Sequence, residues 1–374
     1  MTMTARLDAL LEEATASGRI VGAVVLVMKD GAPAYRRALG LADREKGRPM
    51  TDDAIFRLAS VSKPYVAATA LALVDRGTLA LDVPITDWLS DFRPKLADGT
   101  APAITLRHLL SHTSGLGYGE REPGDPYRMA GISGGLEHPG LGMEENLRRI
   151  ASVPLYFAPG TAWRYGVNLD VVGGVIEKAT GKRLGDSVAE LVTRPLGMTD
   201  TGFTVTDRSR LATPYGEGVP PNAIGEAYEV QGELGRGTYF VPARCFNAAS
   251  FHSGGAGMVG TAGDFMKLME AFRAGGAPIL KPETMAEATR NQIGDLPREA
   301  KDIGWRFGLL SAILADPAAA NMPMAEGTLE WGGIYGHGWA VDRTNGFSIL
   351  SFTNTAVEGC LGAFPKDVRR AVYG

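Results

Sequence analysis

The sequence is poor in the residues that build disulfide frameworks and metal centres. Its 374 residues include only two cysteines and five histidines. Cys245 and Cys360 lie far apart and flank no cluster of ligands, which predicts free thiols in a reducing compartment rather than a disulfide. The histidines show no HExxH-type spacing, so we expect neither a bound metal nor a cofactor.

Long apolar runs and an excess of positive charge are also missing. No stretch approaches the roughly 18 apolar residues that span a bilayer, and residues 1–8 lack the apolar segment of a secretory signal. The formal net charge is −4, whereas proteins that bind nucleic acid or anionic membranes are usually basic. We therefore expect a cytoplasmic protein, a monomer or a dimer, whose partner is a small molecule.

Strand-like segments lie at both ends of the chain, and helices and loops fill the middle. This order predicts an α+β fold and not an alternating βαβ fold. We expect one domain over residues 1–374, in which residues 1–70 and 290–374 form an antiparallel sheet flanked by helices. Residues 71–289 would form an inserted, mostly helical lobe. The predicted strands cover residues 20–28, 34–41, 307–314, 328–331, 338–342 and 347–353.

Ser60 and Lys63 are the first candidates for chemistry. Residues three apart share one face of a helix, and Pro64 is tolerated only near a helix start. Ser60 must then lie in or just before the first turn, close to free backbone N–H groups. Its hydroxyl could become a nucleophile with Lys63 taking the proton. This spacing also fits a helix start with a solvated lysine, so it does not assign a function by itself.

Several longer motifs follow in a fixed order, and together they resemble the family VIII carboxylesterases of the serine β-lactamase-like superfamily over nearly the whole chain. The resemblance implies a class C β-lactamase-like fold, with Ser60 as nucleophile, Lys63 as its partner and Tyr165 as the second base. The motifs are residues 60–63 (SVSK), 105–116 (TLRHLLSHTSGL), 159–160 (PG) with 163–165 (WRY), and 195–201 (PLGMTDT).

The sequence departs from the lactamase pattern in two boxes. The second box is usually Tyr-x-Asn, but here Asn168 follows Tyr165 one place too late to point the same way. The third box, often Lys-Thr-Gly or His-x-Gly, reads Trp331-Gly332-Gly333. A tryptophan there is similar to the esterases of the EstB type. Indole offers one neutral donor and an apolar face, so it favours uncharged esters over carboxylate-bearing substrates.

The resemblance also implies an oxyanion hole made by the N–H groups of Ser60 and Ile334. Gly332 and Gly333 would let the backbone approach a substrate closely, although a bulge on an edge strand explains them as well. The alternative for Tyr165 is a core tyrosine before a helix, and the alternative for Trp331 is a packing tryptophan on a strand. The proton path is open too, because either a neutral Lys63 or a tyrosinate at Tyr165 could act as the base.

Three other residues carry weaker signals. Ser133 lies in residues 131–135 (GISGG), a nucleophile-elbow pattern, but that motif needs a strand before it and a helix after it. Proline and glycine surround it here, so we do not expect Ser133 to be the nucleophile. His337 could assist a proton transfer, but we interpret it, like His112, as a structural histidine.

The sequence thus predicts a serine carboxylesterase that cleaves short-chain neutral esters through an acyl-enzyme on Ser60. A β-lactamase or D-amino-acid peptidase is the alternative. An acyltransferase and a non-catalytic binding protein on the same fold also stay open.

Overall fold

A sheet built from both ends of the chain organises the computed structural model, which describes residues 1–119, 124–299 and 302–374. The strands of the described residues are β1 (Gly22–Lys29), β2 (Ala32–Asp43), β3 (Arg48–Pro49), β4 (Ile55–Arg57), β5 (Tyr215–Gly218), β6 (Pro221–Ala223), β7 (Tyr228–Glu229), β8 (Tyr239–Phe240), β9 (Val259–Thr261), β10 (Trp305–Phe307), β11 (Ala312–Leu314), β12 (Leu329–Gly333), β13 (His337–Asp342) and β14 (Phe347–Thr353).

Helices cover both faces of this sheet and fill the middle of the chain. The α-helices of the described residues are α1 (Met3–Ala16), α2 (Ser62–Asp75), α3 (Leu106–Leu110), α4 (Pro126–Met129), α5 (Met143–Ser152), α6 (Asn168–Thr180), α7 (Leu184–Val188), α8 (Ala262–Arg273), α9 (Pro282–Ala288) and α10 (Phe364–Tyr373). Short 3-10 helices span Ala59–Val61, Ile85–Asp87 and Pro242–Phe246, and a π-helical turn covers Ala189–Thr193. None of these helices is both long and apolar enough to cross a membrane.

The main sheet has eight antiparallel strands in the order β10-β11-β12-β13-β14-β1-β2-β3. β1 pairs with its hairpin partner β2 on one side and with β14 on the other. Side chains of β1 alternate between two cores, because successive residues of a strand point to opposite faces. Val25 and Val27 pack with α1 and α10, whereas Val24 belongs to the core that contains α2 and α8. The predicted antiparallel sheet from both chain ends, and with it the α+β class, is confirmed.

One predicted strand was wrong. Residues 307–314 do not form a single strand, because the chain reverses between β10 and β11, where the Gly308 N–H donates to the Ser311 carbonyl. A Cβ at Gly308 would lie 2.5 Å from the Ala288 carbonyl oxygen, so this turn needs glycine. The predicted long loop over residues 117–142 contains the short helix α4, and its residues 120–123 lie outside the described residues.

The helix α2 is buried along nearly its whole length, from Ser62 to Leu73. It packs against α6, α7 and the 3-10 helix Ala59–Val61 that precedes it. That 3-10 helix also contacts β12. The N-terminus of α2 therefore faces the end of β12, where the middle of the chain meets the sheet. The helix α8 packs on β1, β13 and β14, although the sequence placed it in the inserted lobe. The division into a sheet lobe of residues 1–70 and 290–374 and a helical lobe of residues 71–289 stays a prediction.

Candidate active site

Ser60 lies in the 3-10 helix Ala59–Val61, directly before α2 begins at Ser62. Ala59 has a φ of +46°, a left-handed conformation that non-glycine residues adopt rarely and that clusters at functional sites. Pro64 is the third residue of α2, as its missing N–H requires. The serine is half-buried, so its hydroxyl sits at the start of a buried helix.

Lys63 is buried and makes three polar contacts through its amine. The Nζ atom lies 3.2 Å from Ser60 Oγ, 3.0 Å from the Tyr118 hydroxyl and 2.8 Å from the Gly255 carbonyl oxygen. A carbonyl can only accept, so one N–H must point at Gly255. The other two positions on the nitrogen then face the hydroxyl groups of Ser60 and Tyr118, and a proton can move between them through Lys63.

Tyr165 lies against Lys63 with its ring and not with its hydroxyl. The Lys63 Nζ atom is 4.6 Å from the centre of the Tyr165 ring, a distance at which a cation and a ring attract each other. The Tyr165 hydroxyl accepts a hydrogen bond of 3.2 Å from Trp331 Nε1. The structure thus brings Tyr165, Lys63 and Trp331 together, and the role of Tyr165 as second base stays a prediction.

Tyr118 is a site residue that the sequence reasoning missed. It stands two residues after the motif over residues 105–116, so the motif as read from the sequence stopped just short of it. Glycines shape its surroundings, because a Cβ at Gly134 would lie 2.9 Å from the Tyr118 ring and a Cβ at Gly135 would overlap Ser253 Oγ. The available signal was an aromatic residue within two positions of the end of that motif.

Ser133, directly before Gly134 and Gly135, does not have the setting of a nucleophile. Its side chain is fully buried, its hydroxyl donates to the Glu137 carbonyl at 3.1 Å, and it accepts from the Gly135 N–H at 3.1 Å. The short helix α4, not a strand, precedes it. Its glycines instead let this turn pack closely against Tyr118 and Ser253.

The end of β12 reaches the turn that carries Ser60. A Cβ at Gly333 would lie 2.3 Å from the Leu58 carbonyl oxygen and 3.1 Å from Val61 Cγ2. Only a glycine permits that approach, because real Cβ atoms essentially never come so near. Ile334 follows and packs in the same small cluster as Ala59. A Cβ at Gly332 would lie 2.5 Å from the His337 carbonyl oxygen on the neighbouring strand, so both glycines serve close backbone packing.

Trp331 belongs to a wall of aromatic rings beside Lys63. Its ring centre is 5.0 Å from that of Tyr165 and 5.3 Å from that of Phe307. Arg298 lies behind the wall, with its guanidinium 5.5 Å from the Trp331 ring centre. Its side chain is only 6% exposed, and it forms a 3.0 Å ion pair with Asp302. The wall therefore combines neutral aromatic groups with a cation that already has a carboxylate partner.

Both histidines that the sequence singled out are buried and neutral at neutral pH. Burial lowers the pKa of His337 to about 4, and its Nε2 atom lies 2.8 Å from the Arg57 carbonyl oxygen. Burial also lowers the pKa of His112 well below its ordinary value. The His112 Nδ1 atom lies 2.8 Å from Asn168 Nδ2, and its ring packs 4.8 Å from that of Tyr165. Both therefore have the contacts of structural histidines.

Both cysteines are free thiols, as the sequence predicts, whereas the reducing compartment stays a prediction from the sequence. Cys245 and Cys360, both within the described residues, are half-buried and are not joined in a disulfide.

Comparisons with known proteins agree on one family. The family model described as Beta-lactamase matches residues 7–367. Esterase EstB of Burkholderia gladioli is 50% identical, over 100% of this chain and 95% of its own length. Lovastatin esterase of Penicillium rubens is 29% identical, over 91% of this chain and 90% of its own length.

A solved structure extends the same result to the fold. The structure described as "EstCE1, a hydrolase with promiscuous acyltransferase activity" matches with a TM-score of 0.94 and 40% identity, and the match covers 99% of this chain and 98% of that one. The predicted β-lactamase-like fold is thereby confirmed. The chain belongs to the Beta-lactamase family and, within it, to the family VIII serine carboxylesterases.

Proposed function

We propose that the protein hydrolyses small carboxylic esters through an acyl-enzyme on Ser60. The main support for this proposal is the position of Lys63. Its amine contacts Ser60 Oγ at 3.2 Å, and the Gly255 carbonyl fixes the orientation of that amine. Ser60 Oγ attacks the ester carbonyl, its proton passes to Lys63, and the alcohol leaves with a proton. Water then attacks the acyl-enzyme and releases the acid and Ser60.

The oxyanion of each tetrahedral intermediate is assigned to the N–H groups of Ser60 and Ile334. Gly333 supports this assignment, since it lets the end of β12 lie against the turn of Ser60. Two hydroxyl groups serve the proton transfers in this proposal. The Tyr118 hydroxyl reaches Lys63 directly, and the Tyr165 hydroxyl is oriented by Trp331. Donors fixed before the reaction stabilise the developing charge without reorganisation.

Uncharged esters with short acyl groups are the proposed substrates. A carboxylate on the substrate would need an available cation to offset its loss of water. Two cations lie near Trp331: Lys63 is held by Ser60, Tyr118 and Gly255. Arg298 is buried and paired with Asp302. The aromatic wall of Trp331, Tyr165 and Phe307 instead offers apolar area to an acyl or alcohol group. A cytoplasmic location stays a prediction from the sequence.

Acyl transfer to an alcohol is a second candidate function. The acyl-enzyme is the same, and an apolar alcohol held against the aromatic wall would compete with water for it. EstCE1, which is 40% identical, is described as having promiscuous acyltransferase activity. Ester hydrolysis in water with added short alcohols would measure the ratio of transfer to hydrolysis.

Turnover of a panel of p-nitrophenyl esters, compared with a chromogenic cephalosporin, tests the proposal. We expect hydrolysis of the acetate and butyrate esters and little opening of the lactam ring. Ser60→Ala should lower ester turnover on the order of 10⁴-fold or more with the fold retained, whereas Ser133→Ala should keep kcat. A dead Ser133→Ala variant beside an active Ser60→Ala variant would overturn the site. Efficient lactam opening by the wild type would favour a β-lactamase.

A further inference from the structure

Asp170 is a buried carboxylate that the steps above do not use. It is the third residue of α6 and is fully buried. Its Oδ1 atom accepts a hydrogen bond of 2.5 Å from Ser253 Oγ and one of 3.2 Å from the Gly255 N–H. Its Oδ2 atom has no hydrogen-bond partner among the described residues. Such a group is costly to bury unless a nearby charge or hydrogen bond compensates it.

Gly255 connects this carboxylate to Lys63. Its N–H donates to Asp170, and its carbonyl oxygen accepts from Lys63 Nζ at 2.8 Å. The turn around it is closed, because Ser253 Oγ accepts from the Ala256 N–H at 3.0 Å. A Cβ at Gly255 would lie 2.6 Å from Asp170 Oδ2, so the turn packs directly on the carboxylate. Gly255 therefore donates to Asp170 through its N–H and fixes the orientation of the Lys63 amine through its carbonyl oxygen.

We propose that Asp170 is a positioning residue for the esterase reaction, which holds the turn of residues 253–256 against Lys63 and supplies the negative charge that stabilises the Lys63 ammonium. The inference rests on the proposed function of Ser60 and Lys63. Lys63 becomes an ammonium when it takes the Ser60 proton, and it is one throughout if a tyrosinate is the base. A carboxylate across Gly255 stabilises that ammonium in both proton paths.

The charge of Asp170 changes within the pH range in which esterase activity can be measured. Burial raises its pKa to about 6, while the Ser253 hydroxyl, Lys63, the Gly255 N–H and Arg244 act in the opposite direction. The cations that act on it are thus Lys63 of α2 and Arg244 of the 3-10 helix Pro242–Phe246. Asp170 is ionised above its pKa and neutral below it. We therefore expect kcat to fall as the pH falls through about 6.

Asp170→Asn separates the charge from the hydrogen bonds, because the amide oxygen can still accept from Ser253 and Gly255. We expect kcat for p-nitrophenyl butyrate to fall about 10- to 100-fold at pH 8 with little change in KM, as for a misplaced catalytic group. The fall of kcat near pH 6 should disappear in this variant. A purely structural carboxylate would leave both the kcat at pH 8 and the pH profile unchanged.

Asp264→Asn is the matched control. Asp264 is the third residue of α8, is 5% exposed, and accepts hydrogen bonds from the Asp200 N–H at 3.0 Å and from Thr201 Oγ1 at 3.2 Å. It shares burial, helix position and acceptance from one hydroxyl and one backbone N–H with Asp170, and it differs in forming a 2.9 Å ion pair with Lys267, which does not contact Lys63. Its variant should keep the wild-type kcat and the fall near pH 6. Equal losses in both variants would overturn the inference.

Ser253→Ala provides a test that keeps the carboxylate. The lost hydrogen bond lowers the pKa of Asp170 in the wild type, so its removal should move the fall of kcat to higher pH. This variant decides the question if Asp170→Asn does not fold. A pH profile identical to that of the wild type would then overturn the inference.

Labelling with a fluorophosphonate probe distinguishes this inference from the proposed function. The wild type should be labelled and Ser60→Ala should not. Asp170→Asn should be labelled about 10- to 100-fold more slowly than the wild type. Labelling of Ser60→Ala would refute the proposed function. Labelling of Asp170→Asn at the wild-type rate, with Ser60→Ala unlabelled, would refute only the role of Asp170.

Discussion

Trp331→Lys is the substitution that most directly tests why the site should prefer neutral esters. It restores the cation that related lactamases carry in the third box, but in this structure it does so beside Arg298. The guanidinium lies 5.5 Å from the Trp331 ring centre, and two unit charges at about that distance repel each other by about 3 kcal/mol at an effective dielectric of about 20. The Asp302 carboxylate offsets part of this repulsion.

Two further losses accompany the new charge. The indole N–H no longer donates to the Tyr165 hydroxyl, a hydrogen bond of 3.2 Å that contributes about 1 kcal/mol in typical cases. The ring contacts to Tyr165 and Phe307 also disappear. We expect the repulsion and the lost hydrogen bond together to lower the free energy of unfolding by about 2–4 kcal/mol, and the lost ring contacts to lower it further.

Trp331→Met is the control that removes the ring and the donor without adding charge. Denaturant midpoints of the two variants isolate the effect of the ammonium. For p-nitrophenyl butyrate, both variants should show a lower kcat/KM than the wild type. For a chromogenic cephalosporin, Trp331→Lys should improve binding by at most about 1–3 kcal/mol, while the kcat of ring opening stays low.

Two results would refute this reasoning. Equal unfolding midpoints for Trp331→Lys and Trp331→Met would mean that Arg298 does not act on position 331. A large gain in ring-opening kcat with Trp331→Lys would mean that the missing cation alone prevents lactam turnover. The aromatic wall would then not set the substrate class.

Four more substitutions address the proton path and the oxyanion site. Lys63→Ala and Tyr165→Phe should each lower kcat by roughly 10²- to 10⁴-fold, and the double variant should lose less than the product of the two; multiplicative losses would contradict a shared proton path. Tyr118→Phe removes a hydrogen bond to the Lys63 amine, which for a charged group contributes about 1.5–3 kcal/mol, so kcat should fall about 10- to 100-fold; an unchanged kcat would exclude Tyr118 from the path. Gly333→Ala would place a Cβ 2.3 Å from the Leu58 carbonyl oxygen and should lower kcat at least about tenfold with the circular dichroism spectrum retained; full activity would show that the end of β12 need not approach the turn of Ser60.

Local patterns were enough to predict that Ser60 and Lys63 are in contact. Ser60 and Lys63 are one helical turn apart, and Pro64 marks the helix start, so their contact follows from short-range geometry. The strands β1, β2 and β14 were predictable for the same reason, because their apolar residues and turns are local signals. The split of residues 307–314 was missed because Gly308 and Ser311 are only weak turn signals within an otherwise apolar run.

Long-range contacts explain most of what the sequence did not reveal. Tyr118 and Gly255 reach Lys63 from 55 and 192 residues away, and no periodicity connects such positions. Arg298 was likewise invisible as the cation behind Trp331. Asn168 was recognised as out of place, and the structure gives its actual contacts: its side chain bonds to His112 and Ser114.

The pairing of β1 with β14 has a consequence for how the protein is made. A ribosome synthesises residues 22–29 early, but their partner strand at residues 347–353 emerges more than 300 residues later. At typical rates of about 5–20 residues per second, β1 waits for roughly 15–60 seconds with one edge unpaired. Such an edge can pair with other chains. Until residues 347–353 arrive, the hairpin with β2 covers only one edge of β1, and its other edge stays open to pairing with another chain.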